Sequence, residues 1–189
     1  MFYRTKENLS MLADFYEFTM GNGHLESGLG DTLAYFDMYY RRNPDSASFS
    51  IAGGLNTFIR YIEDLHFTDD DIDYLRSRGI FDERFLDYLA NFECTCDIWA
   101  IPEGSIVFPN EPLVIVRGPV IQVSLIETML LLTVNRQSMV AAKANRIVRA
   151  AQGRAVTEFG SRRAQGADAA TQGAIAAYIA GAVGTANTL

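Results

Sequence analysis

The chain has 189 residues, an apolar share of 49%, an aromatic share of 12% and a formal net charge of −7. Such a length fits one ordinary domain or a little more, and this much apolar matter can bury a core, which excludes intrinsic disorder. The acidic balance argues against general binding of nucleic acid or of an anionic membrane surface, and it makes any basic cluster informative.

The N-terminal stretch "MFYRTKENLSMLADFYEF" has no apolar core followed by a cleavage site, so no signal peptide is expected. A first helix is predicted through "MLADFYEFTMGNG", capped by Asn8 or Ser10 and stopped by glycine. The aromatic run "TLAYFDMYYRR" is strand-like, and "GGLNTFIRYIEDL" has helical spacing through Leu55, Phe58, Ile59 and Ile62. "TDDDIDYLRSRG" opens on a Thr68 cap with Asp71 as its capping-box partner and closes at Gly79. "DERFLDYLANF" reads as another short amphipathic helix.

The texture then changes. "TCDIWAIPEGSIVFPNEPLVIVRGP" reads as short strands broken by Pro-Glu-Gly, Pro-Asn and Gly-Pro turns. No lysine lies between Cys94 and Val116, which excludes a lipoyl- or biotinyl-type carrier hairpin. Cys94 and Cys96, two apart on an extended run, face the same side. With His24 and His66 as the sole histidines, a zinc site lacks ligands, and the pair reads as reduced small residues of a cytoplasmic protein. One long helix follows from Val120 to about Gln152, without internal glycine or proline. Its first half is apolar almost all round and is predicted to be buried. Gln122, Glu127 and Thr133 make its apolar run too short and too polar to span a bilayer. Arg136, Lys143 and Arg146 share a broad face of its second half, as a solvated surface or as part of an anion site.

"RAVTEFGSRRA" is strand then loop, the strand running from Arg154 to Phe159. "DAATQGAIAAYIAG" is an Ala-rich helix, and "AVGTANTL" opens a second strand. This is a βαβ beginning. One such unit cannot cover both faces of a parallel sheet, so the sequence reads as cut within a domain. The expected class is α/β: an N-terminal α/β domain over 1–152, including the connecting helix 120–152, then an incomplete α/β barrel over 153–189.

The motifs of a P-loop, a nucleophile elbow and a helical zinc protease are missing, as is the Asp-Asp–Thr-Gly fingerprint of type I phosphoribosyltransferases. "GNGHLESG" is a helix stop and loop. What stands out is "EFGSRRAQG" at 158–166. Loops that follow barrel strands form the mouth where ligands sit. Arginine there presents a planar fork matched to carboxylate or phosphate. A solvated Arg-Arg loop is the alternative.

Eight segments occur in one order: "DFYEFTM" (14–20), "FDMYYRRNP" (36–44), "AGGL" (52–55), "IPEGSIVFPNEPL" (101–113), "ETMLLLTVNRQS" (127–138), "KANRI" (143–147), "EFGSRRAQG" (158–166) and "GTANT" (184–188). Together they resemble the N-terminal part of the nicotinate phosphoribosyltransferase family. The resemblance implies a type II fold, an N-terminal α/β domain packed on an irregular α/β barrel, with the active site at a head-to-tail dimer interface. It implies synthesis of nicotinate mononucleotide and pyrophosphate from nicotinate and phosphoribosyl pyrophosphate, with Mg²⁺ and coupled ATP hydrolysis. By the same resemblance Tyr16 stacks on the pyridine ring from the partner subunit and Phe159 covers its other face. Arg162, the catalytic candidate, contacts phosphate or the substrate's anionic end. Arg163 supports the loop, and Arg41 reaches phosphate across the dimer. A core tyrosine at 16 and a surface arginine at 41 are the alternatives. Glu17 stands where relatives usually carry Gln, and Ala186 where they carry Ser. The family's phosphorylatable histidine matches neither His24 nor His66, so the chain alone is expected to be inactive. The competing readings are a nicotinamide or quinolinate phosphoribosyltransferase and a non-catalytic interaction module.

Overall fold

The computed structural model describes residues 8–186. Residues 1–7 of the leader reading, and Asn187 and Thr188 of "GTANT", lie outside the described residues. Helix α1 spans Phe15–Glu26, strand β1 Leu33–Tyr39 and strand β2 Ser50–Ile51. Helices α2 (Leu55–Asp64), α3 (Asp69–Ser77) and α4 (Glu83–Ala90) follow, then strands β3 (Asp97–Ala100), β4 (Ile106–Val107) and β5 (Pro112–Pro119). Helices α5 (Val120–Leu125) and α6 (Glu127–Ala150) lead to strand β6 (Thr157–Glu158), helix α7 (Ala167–Ile179) and strand β7 (Gly184–Thr185). The class is α/β. One sheet has the order β1-β5-β3. β2 pairs antiparallel with β4, Ser50 opposite Val107. β6 pairs parallel with β7, Thr157 opposite Gly184, so the terminal βαβ unit forms as expected.

Local chemistry accounts for the element ends. At α3 both capping-box bonds form: Asp71 N donates to Thr68 Oγ1 at 3.2 Å, and Thr68 N donates to Asp71 Oδ2 at 2.8 Å. The expected cap of α1 is corrected. The helix starts after Asp14, which makes no side-chain cap bond. Asn8 and Ser10 instead hold the segment before α3: Asn8 Nδ2 donates to His66 O at 2.8 Å, and His66 N donates to Ser10 Oγ at 3.0 Å. Glycine does not stop α1 at Gly21 or Gly23 either. Gly21 sits under the Phe85 ring, which a Cβ would meet at 3.0 Å, so its missing side chain serves packing rather than termination.

The single helix expected over 120–152 is interrupted once. Ile126 has ψ −4°, yet Ile126 N still donates to Gln122 O at 3.3 Å and Leu130 N to Ile126 O at 3.1 Å. One opened dihedral at Ile126 separates α5 from α6, and these two bonds tie Ile126 to both helices. Gln152 and Gly153, with φ 51° and 85°, end the helical run in left-handed conformations.

The described residues fall into two compact units interleaved along the chain. The first holds the residues through Asp37, Ile59–Trp99 and Ile115–Leu131; the second holds Met38–Phe58, Ala100–Val114 and the residues from Leu132 on. The first has a large-residue core that includes Phe18, Phe67, Leu75, Phe85, Leu86 and Ile121. Its rings meet edge to face, Phe18 with Phe67 at 6.1 Å and Phe67 with Phe92 at 5.6 Å between centroids. In the second, Ala141 of α6 and Ala176 and Ala180 at the end of α7 pack with Ile51, small side chains that let backbones approach closely.

Candidate functional site

Glu158, at the end of β6, organises the loop that follows it. Its Oε1 accepts from Gly160 N, and its Oε2 accepts from Thr185 Oγ1 at 2.6 Å. Ala186 N donates to Glu158 O at 2.9 Å. The carboxylate thus ties the turn after β6 to the end of β7. A Cβ at residue 160 would meet Glu158 Oε1 at 2.7 Å, so the carboxylate would have to shift to admit one. Ser161–Arg163 form one turn of 3-10 helix, closed by Arg163 N donating to Gly160 O at 2.8 Å. Gly166 enters α7 with φ 108°, a conformation that favours glycine.

This geometry aims three side chains outward from the C-terminal end of a parallel strand. Phe159 is 63% exposed. Arg163 is exposed, and its Nη1 donates to Phe159 O at 3.4 Å, which holds that guanidinium against its own loop. Arg162 is exposed and, among the described residues, forms no hydrogen bond or ion pair. It is the uncommitted cation of the pair. Arg41 is also exposed, just beyond β1. Tyr16 lies in the first turn of α1, in the first unit, and is 48% exposed, so it is not a core residue. The nearby Glu127 carboxylate, followed by partial burial, raises its hydroxyl above the ordinary tyrosine range.

Next to Tyr16, Glu17 is fully buried. Thr128 Oγ1 donates to its Oε1 at 2.9 Å, and the same hydroxyl accepts from Asp14 N at 3.3 Å. Oε2 has no partner. Desolvation, opposed by the Thr128 bond and reinforced by Glu127 and Asp14, pushes the carboxyl up from 4.5 to about 7.

Residues 11–135 match the N-terminal domain family of nicotinate phosphoribosyltransferase, NAPRTase. The chain belongs to the nicotinate phosphoribosyltransferase family. It is 42% identical over 180 residues to a nicotinate phosphoribosyltransferase of Mycobacterium tuberculosis, covering 95% of this chain and 39% of that protein. It is 37% identical to the Bacillus subtilis enzyme of that name, covering 96% of this chain and 37% of the relative. The crystal structure of human nicotinic acid phosphoribosyltransferase superposes with a TM-score of 0.87 at 34% identity, over 93% of this chain and 36% of that one. The chain therefore spans well under half the length of these relatives.

The basic face of α6 is partly committed. Arg146 Nη2 lies 2.7 Å from Asp45 Oδ2, and Lys143 Nζ lies 3.6 Å from the same oxygen. Arg146 and Lys143 hold the Asp45 carboxyl below its ordinary value. Asp45 and Ser46 both carry φ 54°, left-handed positions that few non-glycine residues adopt. The third residue, Arg136, has a buried Nε without a partner.

The "AGGL" segment of the family pattern has a packing role. Gly53 N donates to Ser138 Oγ at 2.9 Å, and a Cβ on Gly54 would strike Thr133 O at 2.6 Å. Glu103 Oε1 accepts from Gly54 N at 2.7 Å and from Asn56 N at 3.4 Å, satisfying donors at the start of α2. Sequence reasoning missed the parts of Glu158, Asp45 and Glu103. Two signals pointed toward Glu158 and Glu103: a glycine two residues after Glu158, and the Pro-Glu-Gly turn at 102–104. Among the described residues no group of three His, Cys, Asp or Glu is arranged to hold a metal ion, and no helix is long and apolar enough to cross a membrane.

Proposed function

We propose that this chain supplies the N-terminal part of a nicotinate phosphoribosyltransferase active site. The observation that carries the reading is the loop after β6, where exposed Phe159 and uncommitted Arg162 stand at the end of a parallel strand in a chain of this family. In the reaction, the nicotinate ring nitrogen attacks the anomeric carbon of phosphoribosyl pyrophosphate. The new C–N bond forms as the C–O bond to diphosphate breaks, and the diphosphate departs with the electron pair. No protein nucleophile is needed. Phe159 orients the flat ring from one face, and Tyr16 of a second copy covers the other, an offset stacking worth about 0.5–1.5 kcal/mol beyond the area it buries. Arg162 lies against the developing negative charge, where a fixed cation counts most. Arg163 keeps the loop in shape, and Arg41 adds charge for phosphate across the dimer.

Mg²⁺ and ATP belong to the same proposal. The metal would arrive on the diphosphate, since Mg²⁺ keeps much of its water and is held mainly through substrate phosphates. The described residues offer it no cage, so no step here runs through it. The proposed setting is the cytoplasm.

The test is a chimera joining this chain to the remainder of the Mycobacterium tuberculosis relative, assayed for nicotinate mononucleotide. The chimera is expected to turn over nicotinate in preference to nicotinamide or quinolinate, and the 189-residue chain alone to give no product. Arg162→Ala should lower kcat/KM for phosphoribosyl pyrophosphate by about a hundredfold. Phe159→Ala should raise KM for nicotinate by about fivefold. A chimera indifferent to both substitutions would overturn the proposal.

A further inference from the structure

We propose that Cys94 and Cys96 form a reversible redox site, oxidised by a low-molecular-weight disulfide to an intramolecular Cys94–Cys96 disulfide. Both thiols are free and half-buried, on the segment that leads from α4 into β3, within the first unit. Each thiol is the leading influence on the ionisation of the other, so the two groups are close neighbours. The tripeptide is pinned from α5. Gln122 Oε1 accepts from Thr95 N at 2.8 Å, from Thr95 Oγ1 at 3.3 Å and from Cys96 Sγ at 3.6 Å. The Cys96 sulfur also lies over Gly118 of β5, where a Cβ would come within 2.5 Å of it. The seat for that sulfur exists because residue 118 has no side chain. The ionisable groups facing the pair are Tyr88 of α4, Asp97 of β3 and Tyr61 of α2.

The roles within the pair differ. The Cys96 S–H donates to Gln122 Oε1 at 3.6 Å. The neighbouring Cys96 thiol holds the Cys94 thiol down to about 7, against a smaller opposing effect of burial. The Cys94 neighbour and burial push Cys96 up. Cys94 is then the thiolate near neutral pH, and Cys96 the protonated resolving thiol.

The exchange proceeds in two displacements. The Cys94 thiolate attacks one sulfur of a small disulfide R–S–S–R, forming Cys94–S–S–R and releasing R–S⁻. Cys96 then loses its proton to solvent and attacks the Cys94 sulfur, releasing the second R–S⁻. The protein pair loses two electrons and two protons, and the small disulfide becomes two thiols. Closure draws the Cys96 sulfur off Gln122 and Gly118, and so loosens the junction of β3, β5 and α5.

The test is exposure of the native chain to oxidised glutathione at pH 7.5, read by intact-mass spectrometry and peptide mapping, with the same exchange in urea as the unfolded reference. The expected product is a chain lacking two hydrogens, carrying no glutathione and restored by dithiothreitol. Its yield relative to the mixed disulfide should exceed the urea value at least threefold. Cys96→Ser should retain one glutathione at Cys94, and Cys94→Ser should react at least tenfold more slowly than Cys96→Ser. Equal native and urea product ratios, a stable mixed disulfide on the unsubstituted chain, or equal rates for the two variants would overturn the assignment.

Discussion

The two units stabilise themselves by opposite means. The first fills its interior with large rings and branched chains: Phe18, Phe85, Leu86 and Leu89 are among its most buried residues. The second brings elements together over Ala141, Ala176 and Ala180, with Gly54 at a position where any side chain would strike backbone. Large side chains of its terminal βαβ segment stay outside, Tyr178 at 68% and Val183 at 64% exposed. A core of rings is damaged by removing atoms. A core of alanines is damaged by adding them. The candidate loop sits in the second kind of framework, where tight backbone geometry rather than side-chain bulk fixes where Phe159 and Arg162 point.

The sharpest way to break this contrast is truncation in the first unit. Phe85 is fully buried and stacks between Phe81 and Tyr88. Phe85→Ala should cost about 3–5 kcal/mol, through lost transfer energy and an unfilled cavity. In urea this reads as a lower midpoint at unchanged slope. Gly21, which abuts the same ring, gives the structure no side chain with which to refill the space. In the second unit the opposite change should hurt. Ala176 is fully buried, and Ala176→Leu should cost about 1–3 kcal/mol by overpacking. Tyr178→Ala, two residues away and exposed, should fall within about 0.5 kcal/mol of the parent. If Ala176→Leu proves neutral, the alanine packing is loose and the contrast fails.

Much of the first unit was legible in sequence because its signals are local. Thr68 and Asp71 announce a capping box by spacing alone, and the apolar period of α2 and α4 needs no tertiary knowledge. Gly21 was misread because its role is a contact with Phe85, 64 positions away. The second unit was harder. Its β2, β4, β6 and β7 are two residues long, too short for any periodic signal, and the βαβ pattern was visible only through the Ala-rich helix between them. Of the candidate site, Phe159, Arg162 and Arg163 were legible because glycines bracket them. Glu158 was not, since its work is done by a carboxylate that meets Thr185 across 27 positions. Asp45 escaped for the same reason: its partners lie on α6, and its left-handed backbone has no glycine to mark it.

The finest test of the contrast uses pH. In the second unit the carboxylates at Glu158 and Asp45 meet donors or cations. In the first, Glu17 is buried with one oxygen unpartnered and its carboxyl raised to about 7. The groups around it are Thr128, Glu127, Asp14, Tyr16 and Tyr61, and none of them is a cation. The folded state therefore binds a proton that the unfolded chain releases near pH 4.5. Stability from this group is fully present below that value, declines as pH rises, and is lost once pH passes through about 7. A shift of this size has a ceiling of about 3 kcal/mol at 1.4 kcal/mol per pKa unit, and local relaxation should bring the observed loss to about 1–2 kcal/mol. Glu17→Gln keeps the size and the Thr128 bond while removing the charge. Its urea midpoint should match the parent at pH 5, exceed it at pH 8, and give a flatter profile between. An identical pH profile for parent and variant would mean that Glu17 ionises freely, and that the first unit tolerates charge inside its core as readily as the second does at its surface.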